Sequence, residues 1–123
     1  MTNKDLLLAF FEAENRRDWE TYRQFLSPDV VWTLHSGHTK TIRGIDDYIA
    51  AMAAAYEGSE SAFVCEALYQ SDGGNRVVVI LKNTLEDRSC DIFDFSDGLI
   101  VREYEFILTD KPDFGGGDGI EQI

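Results

Sequence analysis

An α+β domain, with helices packed against one face of a sheet, is the fold class this sequence predicts, and three observations predict it. Apolar residues before Gly58 recur largely at helical spacing, as in Leu6, Leu7, Phe10 and Phe11. From Ser61 onward they fall in short runs rich in Val, Ile, Phe and Tyr. Those runs are separated by turn chemistry, "SDGGN" and "SDG" among it, which joins antiparallel neighbours.

Asn3 or Thr2 is positioned to cap the first helix. The stretch "RRDWETYRQFL" starts a second, with Asp18 as its cap and Trp19, Tyr22, Phe25 and Leu26 as its buried stripe; Pro28 stops it. "DVVWTLHSG" alternates, with Val30, Trp32 and Leu34 on one face and Val31, Thr33 and His35 on the other, and so is a strand. "RGIDDYIAAMAAAYEGS" is a third helix, Ala-rich and closed by Gly58. "SAFVCEALYQ", "RVVVILKNTLE", "SCDIFDF" and "LIVREYEFIL" are four further strands. The domain then spans residues 1–108, and residues 109–123 form a Gly-rich acidic tail. Its Phe114, Ile120 and Ile123 are suited to docking on a partner subunit.

With 123 residues, the chain has the size of one domain, enough to bury roughly two-thirds of its unfolded surface. Its 44% hydrophobic content excludes a disordered chain. The formal net charge is −12, from 23 acids against 11 bases, a field that repels nucleic-acid backbones and anionic membranes. No apolar run approaches the roughly 20 residues needed to span a bilayer. The opening "MTNKDLLLAFFEAENRRDWE" is too short in its apolar run and too quickly acidic for a signal peptide. Cys65 and Cys90 lie outside any metal-ligand spacing and read as free thiols of a reducing compartment. A cytoplasmic protein is expected.

The order helix, helix, strand, helix, four strands, carried by "RDWETYRQFLSPDVVW", "RGIDDYI" and "FDFSDGLIVREYEF", resembles the nuclear transport factor 2-like superfamily. The resemblance covers roughly residues 4–108. It implies a cone-shaped, curved, mostly antiparallel sheet wrapped around three N-terminal helices (a cystatin-like roll), a pocket inside the cone and frequently a homodimer. Members include SnoaL-like polyketide cyclases, ketosteroid isomerases and limonene epoxide hydrolases. The isomerases' basic Asp on the first strand corresponds to Leu34 here, and their first-helix Tyr to Phe10. Only their second Asp finds a counterpart, at Asp91, so steroid isomerisation by that route is not expected. The acid that epoxide hydrolases and SnoaL-like cyclases carry on the last strand corresponds to Glu105. The hydrolases' Arg and Asp on an earlier strand have no clear match beyond Lys82 and Asn83.

The turn at Ser96-Asp97-Gly98 decides where these acids point. A two-residue Asp97-Gly98 turn pairs Phe95 with Ile100 and sets Asp91 opposite Tyr104. A three-residue loop pairs Phe95 with Leu99, Phe93 with Val101 and Asp91 with Glu103. The three-residue loop is favoured because it gathers Phe93, Phe95, Leu99 and Val101 on one apolar face and agrees with the superfamily. Asp91, Glu103 and Glu105 then share the concave side, where like charges in a low dielectric raise at least one pKa. A neutral acid beside an ionised base suits general acid–base chemistry. The bland alternative is that these acids pair with Arg43, Arg76, Arg88 or Arg102 and keep the sheet soluble.

Candidate catalytic residues are therefore Glu105, as base, with Asp91 or Glu103 as acid, and His35 in "LHSGH" as a proton shuttle at the pocket mouth. Phe10, Trp32, Leu34, Phe63, Asn83 and Phe93 are candidates for the pocket wall, with Tyr56 and Tyr69 as further aromatics. No metal is expected, because His35, His38 and Asp91 lack the spacing of a zinc site. No Ser-His-Asp order, phosphate loop or nucleotide fingerprint is present. Two functions follow: a cofactor-free isomerase, lyase, cyclase or hydrolase for a small apolar substrate, or a non-catalytic binding or interaction module of the same fold. Ile92, Tyr104 and Phe106 on the outer sheet face point to a homodimer.

Overall fold

A computed structural model describes residues 1–108. The tail expected at 109–123 lies outside the described residues. Helix α1 (Asn3–Arg16) opens on a capping box: the Thr2 hydroxyl accepts from the Asp5 amide at 3.1 Å, and the Asp5 carboxylate accepts from the Thr2 amide at 3.2 Å. It ends where Arg17 turns left-handed at φ 61°. Helix α2 (Trp19–Arg23) is capped by Asp18, whose carboxylate accepts from the Thr21 amide. It is shorter than the sequence suggests, because Leu26 is already sheet. The Ile100 amide donates to the Phe25 carbonyl at 2.9 Å, and strand β1 (Leu26–Ser36) starts there. Pro28 sits inside this strand, within the stretch from Leu26 to Val31 where the register slips. A residue without an amide hydrogen is tolerated at such an irregularity.

Strand β2 (His38–Arg43) turns back on β1 through Gly37 and is absent from the sequence-based expectation. It is an edge strand exposed at every position but Ile42, so it shows no apolar alternation for a sequence reading to catch. Helix α3 (Ile45–Tyr56) follows, then strands β3 (Phe63–Gln70), β4 (Arg76–Asn83), β5 (Arg88–Ser96) and β6 (Leu99–Ile107). The sheet order is β2-β1-β6-β5-β4-β3, antiparallel throughout except where β1 lies parallel to β6. The α+β class holds: three helices and a six-stranded, mostly antiparallel curved sheet that does not close.

The core is aromatic. Phe10 stacks on Tyr22 at 4.1 Å between centroids and meets Phe93 edge-on, while Phe11 meets Phe63 and Phe93. These contacts fasten α1 and α2 to the inner face of β3 and β5 at one end of the hollow.

The β5–β6 hairpin corrects the favoured register. Its turn is the two-residue one, with Asp97 at φ 51° and Gly98 at φ 78°, so Ser96 pairs with Leu99 and Phe95 with Ile100. Val101 is then an extra residue, and the pairing resumes at Asp94 with Arg102. Phe93 lies opposite Glu103 and Asp91 opposite Glu105. The bulge restores the parity that the shorter turn would have reversed. The acids therefore face inward, although by a different route from the loop expected.

Candidate active site

A cavity of about 400 Å³ lies between the inner sheet face and the helices. Asp91 on β5 and Glu103 and Glu105 on β6 line it, with one oxygen of each within 4.8 Å of the others. Asp91 and Glu103 are 3% and 4% exposed, so neither is surface decoration. None of the three pairs with arginine. Arg76 forms a bidentate pair with Asp94, and Arg88 one with Glu66.

Each acid has its own partner. The Ser89 hydroxyl donates to Asp91 at 2.6 Å, the Trp32 indole N–H donates to Glu105 at 3.2 Å, and the buried Tyr48 hydroxyl donates to Glu103. Burial raises all three pKa values, because an ionised carboxylate loses its water. Asp91 is pushed up to about 6 and Glu105, which also feels Asp91 and Glu14, to about 8. Glu103 rises well above the usual range through burial and the two neighbouring charges. The contact between Glu103 and Asp91 raises the pKa of Glu103 and lowers that of Asp91, which favours the proton on Glu103 and the charge on Asp91.

A fourth carboxyl, Glu14 of α1, also lines the cavity. It accepts hydrogen bonds from Tyr22 at 2.9 Å and Tyr56 at 2.7 Å, and burial pushes its pKa up to about 7 against the effect of those bonds. Arg17 fixes Tyr56 from outside. Its guanidinium lies 4.0 Å over the ring and donates to the carbonyls of Ser59 and Ser61 at 2.8 and 2.7 Å. Sequence reasoning missed both Glu14 and Tyr48. Glu14 falls seven residues after Leu7 on the buried stripe of α1, and Tyr48 precedes Met52 and Tyr56 at four-residue steps, so helical spacing carried the signal.

Trp32, Leu34, Phe63, Asn83 and Phe93 line the cavity as expected of wall residues. Phe10 does not. It is 1% exposed and belongs to the core, because its ring is enclosed by Tyr22, Phe25 and Phe93. His35 also lies away from the cavity. Strand alternation turns it to the outer face, where it stacks on Phe106 at 4.6 Å and its Nδ1 lies 3.2 Å from the Thr39 hydroxyl. That placement separates it from Asp91 and removes the zinc arrangement of His35, His38 and Asp91. Tyr69 is 66% exposed on the outer face. Among the described residues, the set able to hold a metal is instead Asp91, Glu103 and Glu105, an all-oxygen group of the kind that hard divalent cations prefer.

The profile of the SnoaL-like domain family matches residues 7–103, most of the chain and every element from α1 into β6. This chain belongs to the SnoaL-like domain family. Solved structures of the same fold include an NTF2-like protein of unknown function from Cytophaga hutchinsonii (18% identity, 87% of this chain and 90% of that one, TM-score 0.73). A candidate SnoaL-like polyketide cyclase from Jannaschia sp. CCS1 is 21% identical over 85% of this chain and 84% of its own, at TM-score 0.75. A candidate ketosteroid isomerase from Kribbella flavida is 21% identical over 96% and 86%, at TM-score 0.74. At such identities the likeness to these structures is one of fold. A search of curated proteins finds no match. Among the described residues, no helix of this SnoaL-like protein is long and apolar enough to cross a membrane.

Proposed function

We propose that this SnoaL-like protein performs cofactor-free general acid–base chemistry on a small, largely apolar molecule held in the cavity. One observation carries the reading: three carboxyls, two of them buried, meet in one aromatic-lined cavity with no arginine paired to any of them. Such a group holds at least one proton at neutral pH and offers an acid and a base side by side. The sequence cast Glu105 as base, whereas the surroundings favour the reverse. Asp91, charged and steadied by Ser89 and Glu103, is the base, and Glu105, protonated beside Trp32, is the acid. Glu103, tied to Tyr48, keeps the shared proton in place.

The reading is testable without a known substrate. A small cyclic ketone in heavy water should exchange its α-hydrogens faster with the protein than in buffer. Asp91→Asn should reduce that acceleration by roughly 100-fold or more. No acceleration by the natural protein, or an undiminished one in the variant, would count against catalysis and leave a binding module.

The outer sheet face supports a homodimer. Tyr69, Val78, Ile92 and Tyr104 form one cross-strand row, and Ala67, Ile80, Cys90 and Phe106 another. Sedimentation at micromolar concentration should give twice the chain mass, and Ile92→Glu should return a monomer. A natural chain that sediments as a monomer refutes this. Cys65 and Cys90 are free and lie on opposite faces of the sheet, an arrangement suited to a reducing, cytoplasmic setting.

A further inference from the structure

The cavity's polar groups are unevenly matched. Five carboxyl residues line it, Glu14 from α1, Asp91, Glu103 and Glu105 from the sheet and Asp87 from the β4–β5 turn. Among the described residues that line it, Arg88 is the one cation, and both its Nε and Nη2 are committed to Glu66, at 2.8 and 3.2 Å. Asn83 uses its side-chain oxygen to accept from the amides of Leu85 and Asp87. Among these described residues an anionic ligand would meet repulsion offset only by Arg88, already paired with Glu66. The same hollow carries aromatic rings, Phe11, Trp32, Tyr56 and Phe63, of which Trp32 and Tyr56 donate to Glu105 and Glu14. Ring faces beside carboxylates are the surroundings that recognise an ammonium group, since both attract positive charge. The net charge of −12 also draws cations toward the protein at long range.

From these facts we infer that the molecule taken by the cavity is a cation. It is a protonated or quaternary amine on a cyclic apolar body, with its nitrogen at Asp91, Glu103 and Glu105 and its body against Phe11, Trp32 and Phe63. This rests on the cavity being the ligand site, as in the acid–base reading, and it narrows the substrate class. It also carries a signature of its own. A positive charge placed among carboxyls that share protons displaces a proton, whereas a neutral isostere does not. The groups around the nitrogen are Glu14 of α1, Tyr56 of α3, Trp32 of β1, Ser89 and Asp91 of β5, and Glu103 and Glu105 of β6, with the buried Tyr48 behind Glu103.

Three isosteric probes test it on the intact protein: phenethylamine, phenylethanol and phenylacetate. Titration calorimetry in two buffers of different ionisation enthalpy reads affinity and proton release together. The amine should bind at least about tenfold more tightly than the alcohol and release protons, and phenylacetate should bind least. Glu105→Gln should weaken the amine by roughly tenfold and leave the alcohol nearly unchanged; Trp32→Phe, retaining a ring, should preserve the preference. If the alcohol or phenylacetate binds as well as the amine, the inference is overturned while the acid–base reading stands. If the amine binds first but releases no proton, the inference is overturned in its account of the site. If none of the three binds, the inference and the reading of the cavity as a ligand site fall together.

Discussion

Raising the pH from about 5 to about 8 is expected to weaken the folded state by roughly 3–6 kcal/mol, a large part of an ordinary domain's stability. The sign follows from the buried acids. Asp91, Glu14 and Glu105 have folded-state pKa values raised to about 6, about 7 and about 8, above the ordinary values of 3.8 for Asp and 4.5 for Glu. Stability from a raised carboxyl is fully present below its unfolded value and is lost as pH rises through the folded one. A tenfold change in proton affinity between the unfolded and folded chain is worth about 1.4 kcal/mol, and proton sharing within the cluster keeps the total below the simple sum. At the acid end the reverse holds for Asp5, Asp18 and Glu66, whose hydrogen bonds to Thr2, Thr21 and Arg88 lower their pKa values, so their stabilisation fades as pH falls. Maximum stability should therefore lie near pH 5. Thermal unfolding by circular dichroism should show Tm falling by roughly 10–20 °C between pH 5 and 8. Glu105→Gln should flatten that slope. A Tm that holds or rises across the interval would contradict the account of the cluster.

Phe10→Ala should cost about 3–5 kcal/mol, the usual range for emptying a buried aromatic site. Phe10 is 1% exposed, stacked on Tyr22, and in edge contact with Phe25 and Phe93. Its loss opens a hole where α1, α2 and β5 meet, and no neighbour is free to fill it. Urea unfolding should show a lower midpoint at an unchanged slope. The folded fraction should bind cavity ligands as before, because the ring belongs to the core. Phe63→Ala offers the contrast: its ring lines the cavity, so a smaller stability loss should accompany weaker binding. A Phe10→Ala cost below about 1 kcal/mol would mean that the packing is looser than described.

How far the sequence alone carries can be judged from particular residues. Helical spacing located α1 and α3, alternation located β1, and short runs of β-branched and aromatic residues between turns located the last four strands. β2 escaped because an edge strand of His38, Thr39, Lys40 and Thr41 buries almost nothing and so leaves no period. The Val101 bulge escaped because a local register slip is fixed by packing on both sides of the sheet. Here Phe93, Phe95 and Ile100 share one face with Glu103 and Glu105, whereas a two-residue turn alone would have set Arg102 against Phe93 and turned both glutamates outward. The three sheet acids were legible as exceptions to an apolar face. Glu14 and Tyr48 were no less legible by spacing. They were passed over because a second Glu in "FFEAEN" and a Tyr after two aspartates look like ordinary amphipathic helix. His35 misled for the opposite reason, since its chemistry drew attention while its parity placed it outside.

The central claim is that Asp91, Glu103 and Glu105 share a proton inside the hollow at neutral pH. The direct measurement is carbon-detected titration of the side-chain carboxyls, assigned by single substitutions to Asn or Gln. The account predicts that at least one of the three keeps its proton above pH 7, and that Glu105→Gln shifts the midpoints of the other two. Three independent midpoints near pH 4, unmoved by that substitution, would contradict it.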